Sequence, residues 1–335
     1  MITLSQIADM ETDHEPEKNG SSRRTLLTRS AAEAALFIRK GGVVAFPTET
    51  VFGLGADAFD ENAVARIFEA KNRPPDNPLI IHIGERSQIE MLAEEVPESA
   101  AALIDRFFPG PLTVVLKKKD AVPLIVSAGL ETVGIRMPGN EITSAFLKEC
   151  GVPVAAPSAN ISGRPSPTDW RAVQEDLDGR IDCILQGEAT EVGIESTVVD
   201  CTKPIPEILR PGAVSIEELR RVVPAIRASD LDADEAAASP GLRHKHYSPS
   251  AAVVVVRRGH EIDDLQDSGF IGLWPPISDA AKTLVCSTPK EYASKLFAFF
   301  RECDRAGIAK IYCGEVPEEG IGTALMDRLR RAAER

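Results

Sequence analysis

Short apolar runs that alternate with helix-periodic stretches constrain this chain more than any other feature of it. Residues 43–46, 79–83, 112–116, 132–136, 152–155, 183–185 and 196–200 read as strands, and residues 63–70, 99–107 and 142–150 between them have helical spacing. Ser30 is a ready N-cap for an earlier helix along A-A-E-A-A-L-F-I-R-K, and Gly41-Gly42 stops that helix before the first strand. Apolar strand faces must be buried under helices, so the pattern predicts an α/β fold around a twisted mixed sheet.

The pattern does not run unbroken. Residues 225–250 turn acidic and alanine-rich and then read S-P-G-L-R-H-K-H-Y-S-P, with little periodicity. Past them, 252–256 and 270–273 read as strands, Thr288-Pro289 as a helix start, Gly307 as a stop, 308–313 as a strand and the stretch from Thr323 as a last helix. With 335 residues the chain exceeds one ordinary core. The expected organisation is a polar extension over residues 1–24, a main α/β domain over 25–224, a linker over 225–250 and a small α/β domain over 251–335.

Composition narrows the function. At 43% hydrophobic residues the chain has material for packed interiors and lies outside the disordered and collagen-like classes. Its 51 acidic against 38 basic side chains leave a formal charge of −13, which opposes stable nucleic-acid binding by the whole chain. A small anion remains admissible, because a cleft needs only a few well-placed cations. The six cysteines show no C-x-x-C spacing, which argues for reduced, buried thiols rather than a zinc site. Met1 to Arg24 is acidic and then basic without an apolar core, so neither a signal peptide nor a membrane span is expected, and the cytoplasm is the expected location.

The candidate chemistry lies in loops that follow the strands. F-P-T-E-T-V-F-G-L-G-A-D-A at 46–58 contains G-x-G-x-x-A, but Pro47-Thr48-Glu49-Thr50 separates the strand from the first glycine, and no ribose-binding acid ends a second strand. A-K-N-R-P-P-D-N-P-L-I-I-H-I at 70–83 sets Lys71, Arg73 and Asn77 in a proline-stiffened segment that either suits phosphate or is simply a solvated charged loop, before a strand carrying His82. Arg136 ends an apolar strand, where its charge needs a partner or a ligand such as a carboxylate. Ser158, Asn160, Ser162 and Ser166 occupy a proline-rich loop after a strand, where such groups either surround a nucleotide or simply form turns. Arg210 is a further cation in an apolar setting. There is no G-x-x-x-x-G-K-[ST], H-E-x-x-H or G-x-S-x-G, which sets aside the simple P-loop, zinc-protease and serine-hydrolase readings.

Taken in order, P-T-E-T-V-F-G-L-G, K-N-R-P-P-D-N-P-L, F-P-G-P-L-T, G-I-R-M-P, A-P-S-A-N-I-S-G, E-S-T-V-V-D and L-R-P-G resemble the threonylcarbamoyl-AMP synthase family with its YrdC-like domain. H-K-H-Y-S-P and G-I-G-T-A-L-M-D-R-L resemble the longer, two-domain form of that family, whose small domain is Rossmann-like. The resemblance implies a threonine site at Thr50, His82, Arg136, Ala156 and Ser196, with Arg136 on the carboxylate. It implies an ATP site at Arg73, Asn77, Thr132, Ser158, Ser166 and Arg210, with Lys71 beside the phosphates and Tyr247 contributed by the linker. Lys71 and Arg73 are the implied catalytic cations, and Mg2+ is expected on the ATP phosphates rather than in a protein cage. Phe52, where the family often has tyrosine, and Ser248, where alanine is common, depart from the pattern without removing a charge.

The implied reaction joins L-threonine, bicarbonate and ATP into threonylcarbamoyl-AMP and pyrophosphate. The product is expected to pass to a transferase that modifies tRNA next to the anticodon, with no stable nucleic-acid binding and no membrane attachment by this chain. The linker is expected to close as a lid, with Tyr247 on the nucleotide and Arg243, His244, Lys245 and His246 near its phosphates. Two rival readings stand beside this one. A carbamoyltransferase of the hydrogenase-maturation kind is opposed by the missing cysteine pairs and acylphosphatase segment, and an RNA-binding module is opposed by the net charge.

Overall fold

The computed structural model describes residues 24–229, 247–259 and 265–334; residues 1–23 and the linker residues Arg243, His244, Lys245 and His246 lie outside the described residues. Eleven strands among the described residues form one sheet: β1 (Leu26–Thr28), β2 (Val44–Phe46), β3 (Gly53–Asp57), β4 (Ile80–His82), β5 (Leu112–Lys117), β6 (Thr132–Arg136), β7 (Val154–Ala156), β8 (Cys183–Leu185), β9 (Thr197–Asp200), β10 (Glu207–Arg210) and β11 (Arg227–Ala228). Their spatial order is β1-β8-β2-β3-β7-β4-β6-β5-β9-β10-β11, with parallel pairs such as β4 and β6 beside antiparallel pairs such as β5 and β6. The sheet is therefore mixed, as the alternation predicts.

Both faces of this sheet are covered, and the strands' two-residue period sorts their side chains between them. Ala45, Ile81 and Ala155 point into a core with Val64 and Ile67 of helix Glu61–Lys71 and Leu103 of helix Glu98–Phe107. Phe46, Val154 and Leu185 pack on the opposite face against helices Ala31–Ile38 and Glu141–Cys150. Each fully buried Ile, Leu or Phe contributes about 1.5–3 kcal/mol relative to exposure. Ser30 caps its helix as expected, its hydroxyl accepting from the Glu33 N–H.

Residues 53–57, read from the sequence as part of a glycine-rich loop, form β3 instead. The glycines serve close packing rather than a turn: a Cβ on Gly55 would lie 2.5 Å from Val154 Cγ1 and 2.8 Å from the Phe46 ring. Residues 227–228, within the stretch read as linker, add β11 to the sheet's edge.

The second sheet holds β12 (Ala252–Val256), β13 (Gly269–Gly272), β14 (Lys282–Val285) and β15 (Lys310–Gly314) in the order β12-β15-β13-β14, all parallel. Helices Pro289–Arg305 and Ile321–Ala333 supply the apolar stripe that buries one of its faces. Thr288 caps the first of these by accepting from the Glu291 N–H, with Pro289 just inside the start.

The two sheets are joined by a packed interface. Val51, Ile194 and Tyr247 enter the apolar cluster of the small sheet's helices. Gly193 has φ of 76°, and a Cβ there would sit 2.4 Å from Ser294 Cα, so only glycine lets this loop meet helix 289–305. Arg301 reaches across to Asp176, with Nη2–Oδ2 at 2.8 Å and Nη1–Oδ1 at 3.2 Å, and donates to the Pro165 carbonyl at 2.7 Å. Asp176 is held below the usual carboxylate range by Arg301 and Arg164, which outweigh its burial.

Candidate active site

The site is assembled where strand ends meet. β4 and β6 run parallel in a register that puts His82 directly beside Arg136 at their carboxyl ends, the edge at which open α/β sheets receive ligands. β7 runs antiparallel to β4, so its last residue, Ala156, pairs with Ile80, two residues back along β4 from His82. From β2 the chain turns at Thr48, whose hydroxyl accepts from the N–H groups of Thr50 at 3.1 Å and Val51 at 3.2 Å. That turn is pinned to a neighbouring loop by Val192 N–H on the Glu49 carbonyl at 2.9 Å and Gly193 N–H on the Thr50 carbonyl at 3.1 Å.

These elements surround a cavity of about 600 Å³, its open mouth included. Arg73, Arg136 and Arg210 supply its cations, and Thr50, Ser158 and Ser196 its hydroxyls. Ala156, His82 and Tyr247 complete the set of expected residues on its wall. Helix Glu61–Lys71 delivers Arg73, because Asn72 takes the left-handed conformation, φ 50°, and turns the chain inward. Arg73 Nη2 donates to the carbonyls of Asn77 at 3.2 Å and Pro78 at 3.1 Å. Its Nε is buried with no hydrogen-bond partner among the described residues, a donor that a ligand oxygen would satisfy. Burial pushes the Arg73 guanidinium down to about 10, and also lowers that of Arg210, yet both stay cationic at neutral pH.

His82 is the opposite case. Burial, reinforced by the charge of Arg136, pushes its imidazole down to about 3, so the ring is neutral at pH 7. Nδ1 lies 3.2 Å from the Ile80 carbonyl, which can only accept, so Nδ1 carries the proton. Nε2 is left with a lone pair and acts as an acceptor. Arg210 donates through Nη2 to the Ser196 carbonyl at 2.9 Å and to its hydroxyl at 3.2 Å, fixing that hydroxyl beside Thr113.

Four expected residues lie off the cavity wall. Lys71 is buried with its ammonium on the carbonyls of Ser158 and Asn160, where burial and then Arg73 hold its pKa well below that of a free lysine. It braces the 158–160 loop from behind. Asn77 is buried and offers its backbone carbonyl to Arg73. Ser166 donates to Glu195 Oε1 at 2.7 Å. Thr132 stands at the opposite end of β6 from Arg136, about 13 Å along the strand.

Three further residues, which the sequence reading did not single out, complete the surroundings. Glu195 lines the cavity, and Arg328, from the last helix, donates to its Oε2 at 2.8 Å and to the Pro211 carbonyl at 3.1 Å. Tyr247 is sandwiched, its ring stacked on Phe297 at 5.5 Å with the Arg328 guanidinium 5.0 Å from its centroid. Its backbone has φ of 65°, a strained conformation for tyrosine that the packing enforces. Glu49, next to Thr50, forms an ion pair with Arg136. Glu49, Glu195 and Arg328 all sit inside motifs visible in the sequence, but the closing G-I-G-T-A-L-M-D-R-L that holds Arg328 does not reveal its partner.

A covered mixed sheet with a cation-lined cavity and a small parallel α/β domain packed against it define a two-domain α/β protein. Residues 36–212 match the Sua5/YciO/YrdC family model, described as telomere recombination, and residues 214–334 match the model for the threonylcarbamoyl-AMP synthase C-terminal domain. The chain belongs to the threonylcarbamoyl-AMP synthase family, whose members are enzymes of the nucleotidyltransferase type. It is 47% identical to the threonylcarbamoyl-AMP synthase of Pyrococcus abyssi, over 90% of this chain and 93% of that one, and 42% identical to that of Bacillus subtilis, over 90% and 92%. The crystal structure of P. abyssi Sua5 complexed with L-threonine matches with a TM-score of 0.83 at 44% identity, covering 92% of this chain and 97% of that one. No helix among the described residues is long and apolar enough to cross a membrane.

Proposed function

We propose that this protein is an L-threonylcarbamoyladenylate synthase, converting L-threonine, bicarbonate and ATP to threonylcarbamoyl-AMP and pyrophosphate. The observation that carries the reading is a single cavity that gathers Arg73, His82, Arg136 and Arg210, which we read as two subsites. Arg136 and the acceptor Nε2 of His82, adjacent on paired strands, suit the carboxylate and a hydrogen-bond donor of an amino acid. Arg73 and Arg210 suit phosphate, and Ser158 and Tyr247 lie on the same wall to meet the nucleotide. Similarity to a relative crystallised with L-threonine supports the same assignment.

In this reaction the threonine amine adds to bicarbonate and a carbamate forms with loss of water. A carbamate oxygen then attacks the α-phosphorus, and the bond to pyrophosphate breaks. No protein nucleophile is required. The chain's part is to bring two anions together, which Arg73 and Arg210 serve by charge neutralisation and Arg136 by aligning its ligand through N–H donors. Lys71 acts through the 158–160 loop that it braces, and Ser166 through Glu195. No cluster of His, Cys, Asp and Glu suited to hold a metal ion occurs among the described residues. In this proposal Mg2+ would accompany the ATP phosphates and neutralise part of their charge.

The proposal extends to a cytoplasmic role in which the labile mixed anhydride is handed to a transferase for threonylcarbamoyladenosine modification of tRNA. Pyrophosphate release tests the reading: it should require ATP, threonine and bicarbonate together. Release at full rate with bicarbonate or threonine omitted would refute it.

A further inference from the structure

Glu49 has no task in the reaction as described, although it touches the cation assigned to the threonine carboxylate. Its backbone is fixed, with the Thr48 hydroxyl holding the turn and Val192 N–H on its carbonyl. Glu49 is not on the cavity wall but on a neighbouring groove shared with Asn140, Trp170 and Gln186. Oε1 is 2.8 Å from Arg136 Nη2. Both carboxylate oxygens and Nη2 are buried, and none of the three makes an aligned hydrogen bond among the described residues. The contact is one of charge without direction. Arg136 is otherwise anchored by Nε, which donates to the Gly110 carbonyl at 3.3 Å.

We propose that Glu49 is a specificity-determining counter-ion, which cancels the net charge of Arg136 so that this cation accepts a carboxylate and is closed to polyphosphate. The inference rests on the threonylcarbamoyl-AMP synthase reading and deepens it. Arg136 shares its cavity with Arg73 and Arg210. Were Arg136 uncompensated, its charge would add to those of Arg73 and Arg210 and draw a triphosphate across the whole cavity, because a polyanion responds to net charge, and singly charged threonine carboxylate would lose the competition. Neutralised by Glu49, Arg136 keeps its N–H donors and loses most of its long-range field. The misaligned contact suits that purpose. An aligned, bidentate carboxylate would occupy the donors that a ligand needs, whereas this one leaves Nη2 without a directed bond. Polyphosphate is thereby confined to Arg73 and Arg210, and the amino acid keeps a place of its own.

The test is calorimetry with pyrophosphate and L-threonine on the full chain and on Glu49→Gln, which preserves shape and removes the charge. The variant should bind pyrophosphate about tenfold more tightly, the scale of one added charge-assisted bond. Pyrophosphate should then compete with threonine, raising its apparent Kd in proportion to the concentration added. In the wild type the two ligands should not compete, and Glu49→Gln combined with Arg136→Met should lose the gained pyrophosphate affinity. Unchanged pyrophosphate affinity in folded Glu49→Gln overturns the proposal. So does loss of threonine binding with no pyrophosphate present, which would make Glu49 only a structural prop. Should Glu49→Gln not fold, the wild-type titration decides, since displacement of threonine by pyrophosphate there contradicts the proposal and independence sustains it. A wild type that binds no threonine overturns the reaction reading and this proposal together, whereas normal threonine binding with the failures above overturns this proposal alone.

Discussion

Replacing Arg328 by methionine removes a guanidinium with 0% exposure from the junction of the two sheets. Burial opposes its charge, but Tyr247, Glu195 and Asp327 around it more than offset that and raise its pKa. The loss strands Glu195, whose exposed fraction is 7%, with its second oxygen facing no cation from Arg328, and it removes the donor to the Pro211 carbonyl at 3.1 Å. Breaking one side of a buried ion pair costs about 3–5 kcal/mol, chiefly because the remaining charge stays buried. Methionine fills part of the volume and takes nothing back electrostatically. Adding Glu195→Gln, which can still hydrogen-bond to Ser166, should therefore restore part of the loss. A double-mutant cycle by urea denaturation should give a coupling of about 2 kcal/mol or more. ATP affinity should fall with stability in the single variant, because Glu195 lines the cavity and holds Ser166. A single-variant loss under about 1 kcal/mol, or strictly additive effects, would refute the view that this pair fastens the small domain to the site.

The two subsites should separate under mutation. Arg136→Ala should weaken threonine binding most, and Arg73→Ala or Arg210→Ala should weaken ATP binding, each by about 1.5–3 kcal/mol in calorimetry; unchanged threonine affinity in Arg136→Ala contradicts the assignment. His82 should leave a signature in the pH dependence of stability. Its pKa is pushed from 6.5 to about 3 on folding, so the unfolded chain takes up a proton that the native ring refuses. Its stabilising contribution is complete above pH 6.5 and is lost as pH falls toward 3, with a slope of up to about 1.4 kcal/mol per pH unit. Denaturation between neutrality and about pH 4 should show the wild type losing stability faster than His82→Gln; parallel curves would show that the ring is not buried neutral.

Much of the main fold is legible from periodicity, and the failures have physical causes. β6 and β12 fall at residues 132–136 and 252–256, where apolar runs mark them, and the capping residues Ser30 and Thr288 do as their side-chain chemistry requires. β3 escapes because its glycines imitate a turn while answering to the Phe46 ring and Val154, contacts made by distant chain. β14 escapes because K-T-L-V is an edge strand with alternate residues exposed, too short and too polar to stand out. Helix Trp170–Leu177 is short and follows a proline-rich loop, and only the Asp169 cap announces it. In the site, motifs locate the residues without saying which way they face. Lys71, in the last turn of its helix, reads as a phosphate cation but turns to the carbonyls of Ser158 and Asn160. The role of Arg328, though it lies in the closing G-I-G-T-A-L-M-D-R-L, is hidden because its partner Glu195 lies 133 residues away, and only the docking of the two sheets brings them together.

The central claim is that threonine, bicarbonate and the adenylyl group are joined in one product, and carbon tracing tests it most directly. The protein is incubated with ATP, L-threonine and 13C-bicarbonate, and the adenylates formed are examined by mass spectrometry. The account predicts threonylcarbamoyl-AMP carrying a single 13C in its carbamoyl group, formed in step with pyrophosphate. An unlabelled adenylate, or threonyl-AMP made without bicarbonate, would contradict it.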